Sequence, residues 1–141
     1  MPRSPADETP PDQVLQKIRV PFIQRARLAY EGREESGFLV DLALSGAFLE
    51  RAESLPLGLR VEVSFPLPGN AIPLRAVCRV AWWHGPEAPR VSRPLPTGNG
   101  LEFLEIGARD AERVREHIEA YLRRQPGMRR FHRNRTHEEP D

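Results

Sequence analysis

From Arg19 onward, apolar and polar residues alternate along this chain with a period of two. In "RVPFIQRARLAY", Val20, Phe22, Ala26, Leu28 and Tyr30 share one side, with Arg25 and Arg27 on the other. That spacing predicts a half-buried β-strand. "EGREESG" reads as a charged connection, "FLVDLA" as a second strand, and "AFLE" after Gly46 as a third. Val61, Val63 and Phe65 alternate with Arg60, Glu62 and Ser64, and "PLPGN" follows as a turn. Ile72, Leu74, Ala76, Cys78, Val80 and Trp82 then line one face of a long strand. The proline-rich segment "GPEAPRVSRPLPTG" is a loop, because proline disrupts interior strand pairing. "NGLEFLEI" is the last strand, with Leu101 and Phe103 inward.

The period then changes. In "ARDAERVREHIEAYLRR", Ala111, Val114, Ile118, Tyr121 and Leu122 fall at helical spacing and form one apolar stripe. Arg123 and Arg124 suit the negative end of the helix dipole, and Pro126-Gly127 ends the helix. Six short strands and one closing helix predict a mainly β chain: a small six-stranded antiparallel barrel with a C-terminal amphipathic α-helix. Residues 1–16 lack periodicity and read as a disordered tail, residues 17–124 as the domain, and residues 125–141 as a disordered arginine-rich tail.

Composition changes this picture little. The 141 residues have a formal net charge of +1, so global electrostatics name no partner. Lys17 is the only lysine among 21 basic residues. Codon bias in a GC-rich genome accounts for such usage; selection of arginine for forked contacts to phosphate or carboxylate is the functional alternative. The single Cys78 excludes an internal disulfide framework and, within an alternating apolar run, reads as a core thiol in a reducing compartment. No apolar run reaches the roughly 18 residues of a membrane span, and the N-terminus lacks a secretory h-region. The expected location is the cytoplasm.

Catalysis finds no support. His84, His117, His132 and His137 show no metal-ligand spacing, no metal site is expected, and no catalytic residue stands out. "GNGLEF" resembles part of a dinucleotide fingerprint but lacks the following helix. No serine sits in a nucleophile elbow. The chain is not expected to be an enzyme.

What narrows the function is the order of local signatures. "RVPF" opens the first strand, "VDLALSGAFLE" makes a strand-turn-strand corner, and "LPLGLRVEVSFPLP" is a turn and strand. "CRVAWW" ends the long strand, "GNGLEF" begins the last, and an amphipathic helix closes the set. Across residues 17–124 this order resembles the PilZ domain of bacteria. The resemblance implies a six-stranded barrel and, in many members, binding of the second messenger cyclic di-GMP. It also implies where that ligand sits: an R-x-x-x-R pair before the first strand and a [D/N]-x-S-x-x-G corner. Arginine forks and stacks on phosphates and guanines, and a short polar turn permits close approach.

Arg19 matches the second arginine of that pattern, and Asp41 and Gly46 match the ends of the corner. Leu15 stands at the first arginine and Ala43 at the serine. Losing one charged contact and one hydroxyl weakens binding by roughly 3–4 kcal/mol, about a few hundred-fold. Lys17, Arg25 and Arg27 are the cations that could substitute. Two readings follow. In the first, the chain is a PilZ regulatory adaptor acting through protein contacts, with cyclic-di-GMP binding weak or lost. In the second it is a working cyclic-di-GMP receptor that uses Arg19, Asp41 and Gly46. Partner-contact candidates are Trp83, facing away from the core, and Arg90 and Arg93 in the proline-rich loop. Asp41 also reads as a turn cap, Gly46 as a position of unusual φ, and Trp82 as core. Nonspecific nucleic-acid binding by the arginine tail is a weaker third idea, offset by the acidic "HEEPD" that follows.

Overall fold

A computed structural model of the chain describes residues 15, 17–86 and 96–125. Six strands form: β1 (Val20–Tyr30), β2 (Arg33–Ala43), β3 (Gly46–Glu50), β4 (Arg60–Leu67), β5 (Asn70–His84) and β6 (Gly98–Ile106). One helix, α1 (Ala108–Arg124), follows. All neighbouring strands are antiparallel, and the sheet closes on itself in the order β1-β2-β3-β6-β5-β4. The fold is therefore the six-stranded barrel with a C-terminal helix that the alternation predicted. Closure removes the exposed sheet edges that would otherwise invite pairing with other chains.

Tight turns set the register. Glu31 and Gly32 both take positive φ, 51° and 75°, and join Tyr30 directly to Arg33. Two left-handed residues match the twist of the flanking strands. The stretch read as the connection "EGREESG" is therefore mostly strand, because the turn needs only two residues. Pro68 and Gly69, the latter at φ 80°, turn β4 into β5.

Inward positions follow the alternation through most of the barrel. Val20, Phe22, Ala26, Leu28, Leu39, Val61, Val63, Phe65, Leu74, Ala76, Cys78 and Val80 are buried in one cluster. The helix closes the end where β1 begins, placing Val114 and Ile118 in that cluster. His117 meets Phe22 edge-on at 5.2 Å, and Asp110 accepts a hydrogen bond from the Arg75 backbone N–H. The 51–58 segment closes the opposite end with Leu55. Asn99, fully buried, ties it down: its Oδ1 accepts from Leu55 N at 2.9 Å, and its Nδ2 donates to Ser54 Oγ and to the Trp82 carbonyl.

Two residues assigned inward by alternation lie outside. Ile72 is 70% exposed near the β4–β5 turn, beyond the barrel wall. Trp82 is 37% exposed because the pairing of β5 with β6 slips between Val80 and Trp82. Val80 faces Leu101 and Trp82 faces Gly100, so Ala81 is an extra residue, and a β-bulge of this kind reverses the side of everything beyond it.

Candidate functional site

The bulge brings the residues of interest together. Register pairs Pro21 with Asp41, Asp41 with Phe48, Phe48 with Gly100, and Gly100 with Trp82. Paired residues project to the same face, so these five form a row across the outer wall of the barrel. Phe48 lies in this row yet is fully buried, with Trp82 at 5.3 Å between ring centroids. Gly98 and Gly100 leave the space that the two rings fill: a Cβ at either would come within 3.0 Å of Phe48 or Trp82 atoms respectively.

Arg19 approaches this row from just before β1. Its Nη1 donates to Asp41 Oδ1 at 2.8 Å, and its Cζ lies 6.0 Å from the Trp82 ring centroid. The two side chains retain 30% and 12% of their exposure. The pair is therefore reachable from solvent but sheltered enough to hold geometry. Asp41 acts here as the partner of Arg19 across 22 residues of sequence, and the turn-cap reading does not describe this contact.

Gly46 is needed for another reason than φ. It lies outside the positive-φ glycines, and a Cβ there would collide with the Leu101 carbonyl of β6. Close approach of two backbones, not unusual φ, excludes a side chain. The Ser45 carbonyl accepts from Phe103 N at 2.8 Å, fixing the corner against β6. Ala43 is buried beside it.

Leu15 occupies the place of the first motif arginine and is 2% exposed, part of the barrel's apolar cluster with Val20, Leu42, Val114 and Ile118. Ile18 N donates to its carbonyl at 3.1 Å, closing a short turn that carries the chain into β1. Lys17 on that turn is exposed. Arg25 and Arg27 are engaged elsewhere: Arg25 lies 5.0 Å over the Phe38 ring, and Arg27 pairs with Glu34 at 3.1 Å. Trp83 does not face away from the core as the alternation placed it: the same bulge pairs it with the buried Asn99 and turns it to the inner side, half-buried with its ring over Gly85. Arg90 and Arg93 lie outside the described residues, as do the tails at 1–14 and 126–141.

Other groups have structural duties. Arg51 and Tyr30 both hydrogen-bond Glu35; the Arg51 contact, more than Tyr30, holds its carboxyl below the ordinary value. Burial pushes the Cys78 thiol up to about 12, so it is not a nucleophile at neutral pH. Among the described residues no group of three metal-ligating side chains occurs, and no helix is long and apolar enough to cross a membrane. A broad open cleft lined by Arg27, Ser64, Arg75 and Glu105 is a separate, charged part of the outer wall.

The described residues thus form a closed six-stranded barrel, capped by one helix and carrying an arginine–aspartate pair beside the β2–β3 corner. The chain belongs to the PilZ domain family, whose profile, described as "PilZ domain", matches residues 13–124. No curated protein matches the sequence. Among solved structures the chain is similar to the PilZ domain with c-di-GMP of YcgR from Escherichia coli, at 16% identity and TM-score 0.54. That match covers 75% of this chain and 92% of that one. It is similar also to the Bacillus subtilis inhibitor of motility MotI/DgrA, at 16% identity and TM-score 0.58, covering 77% and 51% respectively. The Borreliella burgdorferi PlzA protein in complex with c-di-GMP matches at 12% identity and TM-score 0.47, over 67% of this chain and 32% of that one. The chain thus spans about half the length of MotI and a third of PlzA. At these identities the likeness is one of fold.

Proposed function

We propose that this chain is a PilZ regulatory adaptor that acts through protein contacts, with cyclic-di-GMP binding weak or lost. One observation carries the reading: Leu15, at the place of the first motif arginine, is buried in the apolar cluster. The residue there serves the barrel and offers nothing to a phosphate. Ala43 likewise has no hydroxyl to offer. The cost of the two losses, roughly 3–4 kcal/mol, takes a micromolar ligand to about the millimolar range. Trp83, half-buried near the end of β5, is the described residue this reading offers to a partner. The buried free Cys78 fits the cytoplasm.

One observation favours the receptor reading instead. Arg19 stays partly exposed beside Asp41 and Trp82, so a nucleotide can still reach it. Calorimetric titration with cyclic di-GMP separates the two. The parent chain is expected to give no saturable heat at tens of micromolar ligand, whereas a Leu15→Arg, Ala43→Ser double variant gains binding. Tight binding by the parent would sink the adaptor reading.

A further inference from the structure

Away from the corner, the outer wall centred on β4 carries its charges in lines. Ladder partners share a face, so the pairings Glu34–Ala29, Ala29–Glu62, Glu62–Val77 and Val77–Glu105 draw one line across the strands. Its only charged members are carboxylates. The next line on the same face runs Ser36, Arg27, Ser64, Arg75, and its only charged members are guanidiniums. Members of both lines border the open cleft on this wall.

Most of these charges are already matched. Arg27 pairs with Glu34 at 3.1 Å, and Arg60 reaches Glu105 at 3.0 Å. Glu62 and Arg75 differ. Both are exposed, and among the described residues neither side chain has an ion pair or a hydrogen bond. Asp110 holds the backbone N–H of Arg75 and leaves its guanidinium open.

With Arg60 counted, three bases (Arg27, Arg60, Arg75) stand against three acids (Glu34, Glu62, Glu105), and the wall is neutral as a whole. A neutral wall gives no grip on nucleic acid or an anionic membrane. It fits a surface with the same two lines in reversed order, and a second copy of this chain presents one. A two-fold axis running between the lines lays each on the opposite line of the other copy. Glu62 then stands over Ser64 of the second copy, between its Arg27 and Arg75, and the relation is returned. Because β4 lies between β1 and β5 at the middle of the wall, barrel curvature brings these residues together first. Ala29, Val77 and Leu104, the last 41% exposed, add apolar surface among the charges.

We propose that this wall is the contact face of a two-fold homodimer, held by two reciprocal Glu62–Arg75 ion pairs. The dimer goes beyond the adaptor reading and is independent of it, because the face shares no residue with Arg19, the β2–β3 corner or Trp83.

Sedimentation equilibrium on the full chain, from tens to hundreds of micromolar, is expected to show a monomer–dimer equilibrium that weakens as salt is raised. Glu62→Arg and Arg75→Glu each set like charges against each other at both ends of the contact. Each alone should therefore self-associate at least about a hundredfold more weakly. Mixed in equal amounts, the two variants restore opposite charges at both ends and should form a heterodimer near the parent's affinity. Circular dichroism checks that each folds; where one does not, Glu62→Gln and Arg75→Gln replace the pair, each expected about tenfold weaker than the parent. A parent that stays monomeric throughout that range overturns the dimer and leaves the adaptor reading standing. A parent dimer indifferent to salt, single variants that associate as tightly as the parent, or charge-reversed variants that do not recover on mixing, overturn this face as the contact.

Discussion

Replacing Leu15 by arginine restores the spacing of the family motif, and its effect on stability can be worked out from where Leu15 sits. The side chain is 2% exposed in the apolar cluster. Burying a leucine contributes about 1.5–3 kcal/mol relative to leaving it in water. A guanidinium held in the same place without partners would cost far more. The turn has an escape, because it precedes β1 and no strand pairing depends on it. The variant should therefore release the turn instead of unfolding the barrel, and the loss saturates near the leucine's own burial energy. The Arg19–Asp41 pair, partly exposed, adds at most about 1 kcal/mol if it loosens too.

Urea unfolding of the parent, Leu15→Ala and Leu15→Arg tests this. Both variants should lose about 1.5–3 kcal/mol with little change in slope, and should agree to within about 1 kcal/mol. At about 4 °C per kcal/mol for a domain of this size, the midpoint falls by roughly 6–12 °C. A Leu15→Arg protein as stable as the parent would show that Leu15 is not an anchor. One that is weaker than Leu15→Ala by more than about 2 kcal/mol would show that the turn cannot release. In that second case the arginine could not swing to the outer wall, and repairing the motif would fail for reasons of folding.

Asn99→Ala removes three hydrogen bonds at a fully buried position and strands the Leu55 N–H, so a loss of about 2–3 kcal/mol is expected, with faster hydrogen exchange in the 51–58 segment than elsewhere. Unaffected exchange there would contradict the clamp. Acid should weaken the fold in two stages, followed by thermal melts across pH. His117 is lowered below 6.5 by burial first and Arg124 second, so its contribution is full above 6.5 and is lost as pH falls through its folded value. Glu35, lowered below 4.5 chiefly by its Arg51 hydrogen bond, contributes above 4.5 and is lost as pH falls further, and Arg51→Gln should flatten that lower stage.

The barrel was legible because burial on one face imposes a period of two. That period held through β1, β4 and most of β5. The helix was legible for the same reason at its own period, with Val114 and Ile118 at the centre of the buried stripe. Alternation fails where the ladder gains a residue. The extra Ala81 turned Trp82 outward, and a bulge leaves no mark in the pattern of the strand that carries it. A signal did exist on the neighbouring strand. Gly98 and Gly100 are two glycines on the same face of β6, and glycines inside a strand announce that something lies close above them. Asp41 and Gly46 flank the β2–β3 corner that their sequence marks, but the partner of Asp41 and the burial of Leu15 are tertiary facts. No local spacing shows that a residue four positions before Arg19 enters the core.

The motif positions divide by what the fold itself asks of them. Gly46 admits the Leu101 carbonyl of β6, and no other residue could do so without moving a strand. Asp41 holds Arg19 against the outer wall, and Arg19 in turn lies beside Trp82. Each of these three has a partner within the chain that accounts for its identity. The first arginine and the serine have no such partner here, and both places are filled by buried apolar residues, Leu15 and Ala43. Relaxed demand from a ligand would produce this division, because positions that only a ligand needs drift toward whatever packs best while positions the barrel needs stay. Retention of Asp41 and Gly46 is therefore poor grounds for inferring a working cyclic-di-GMP site.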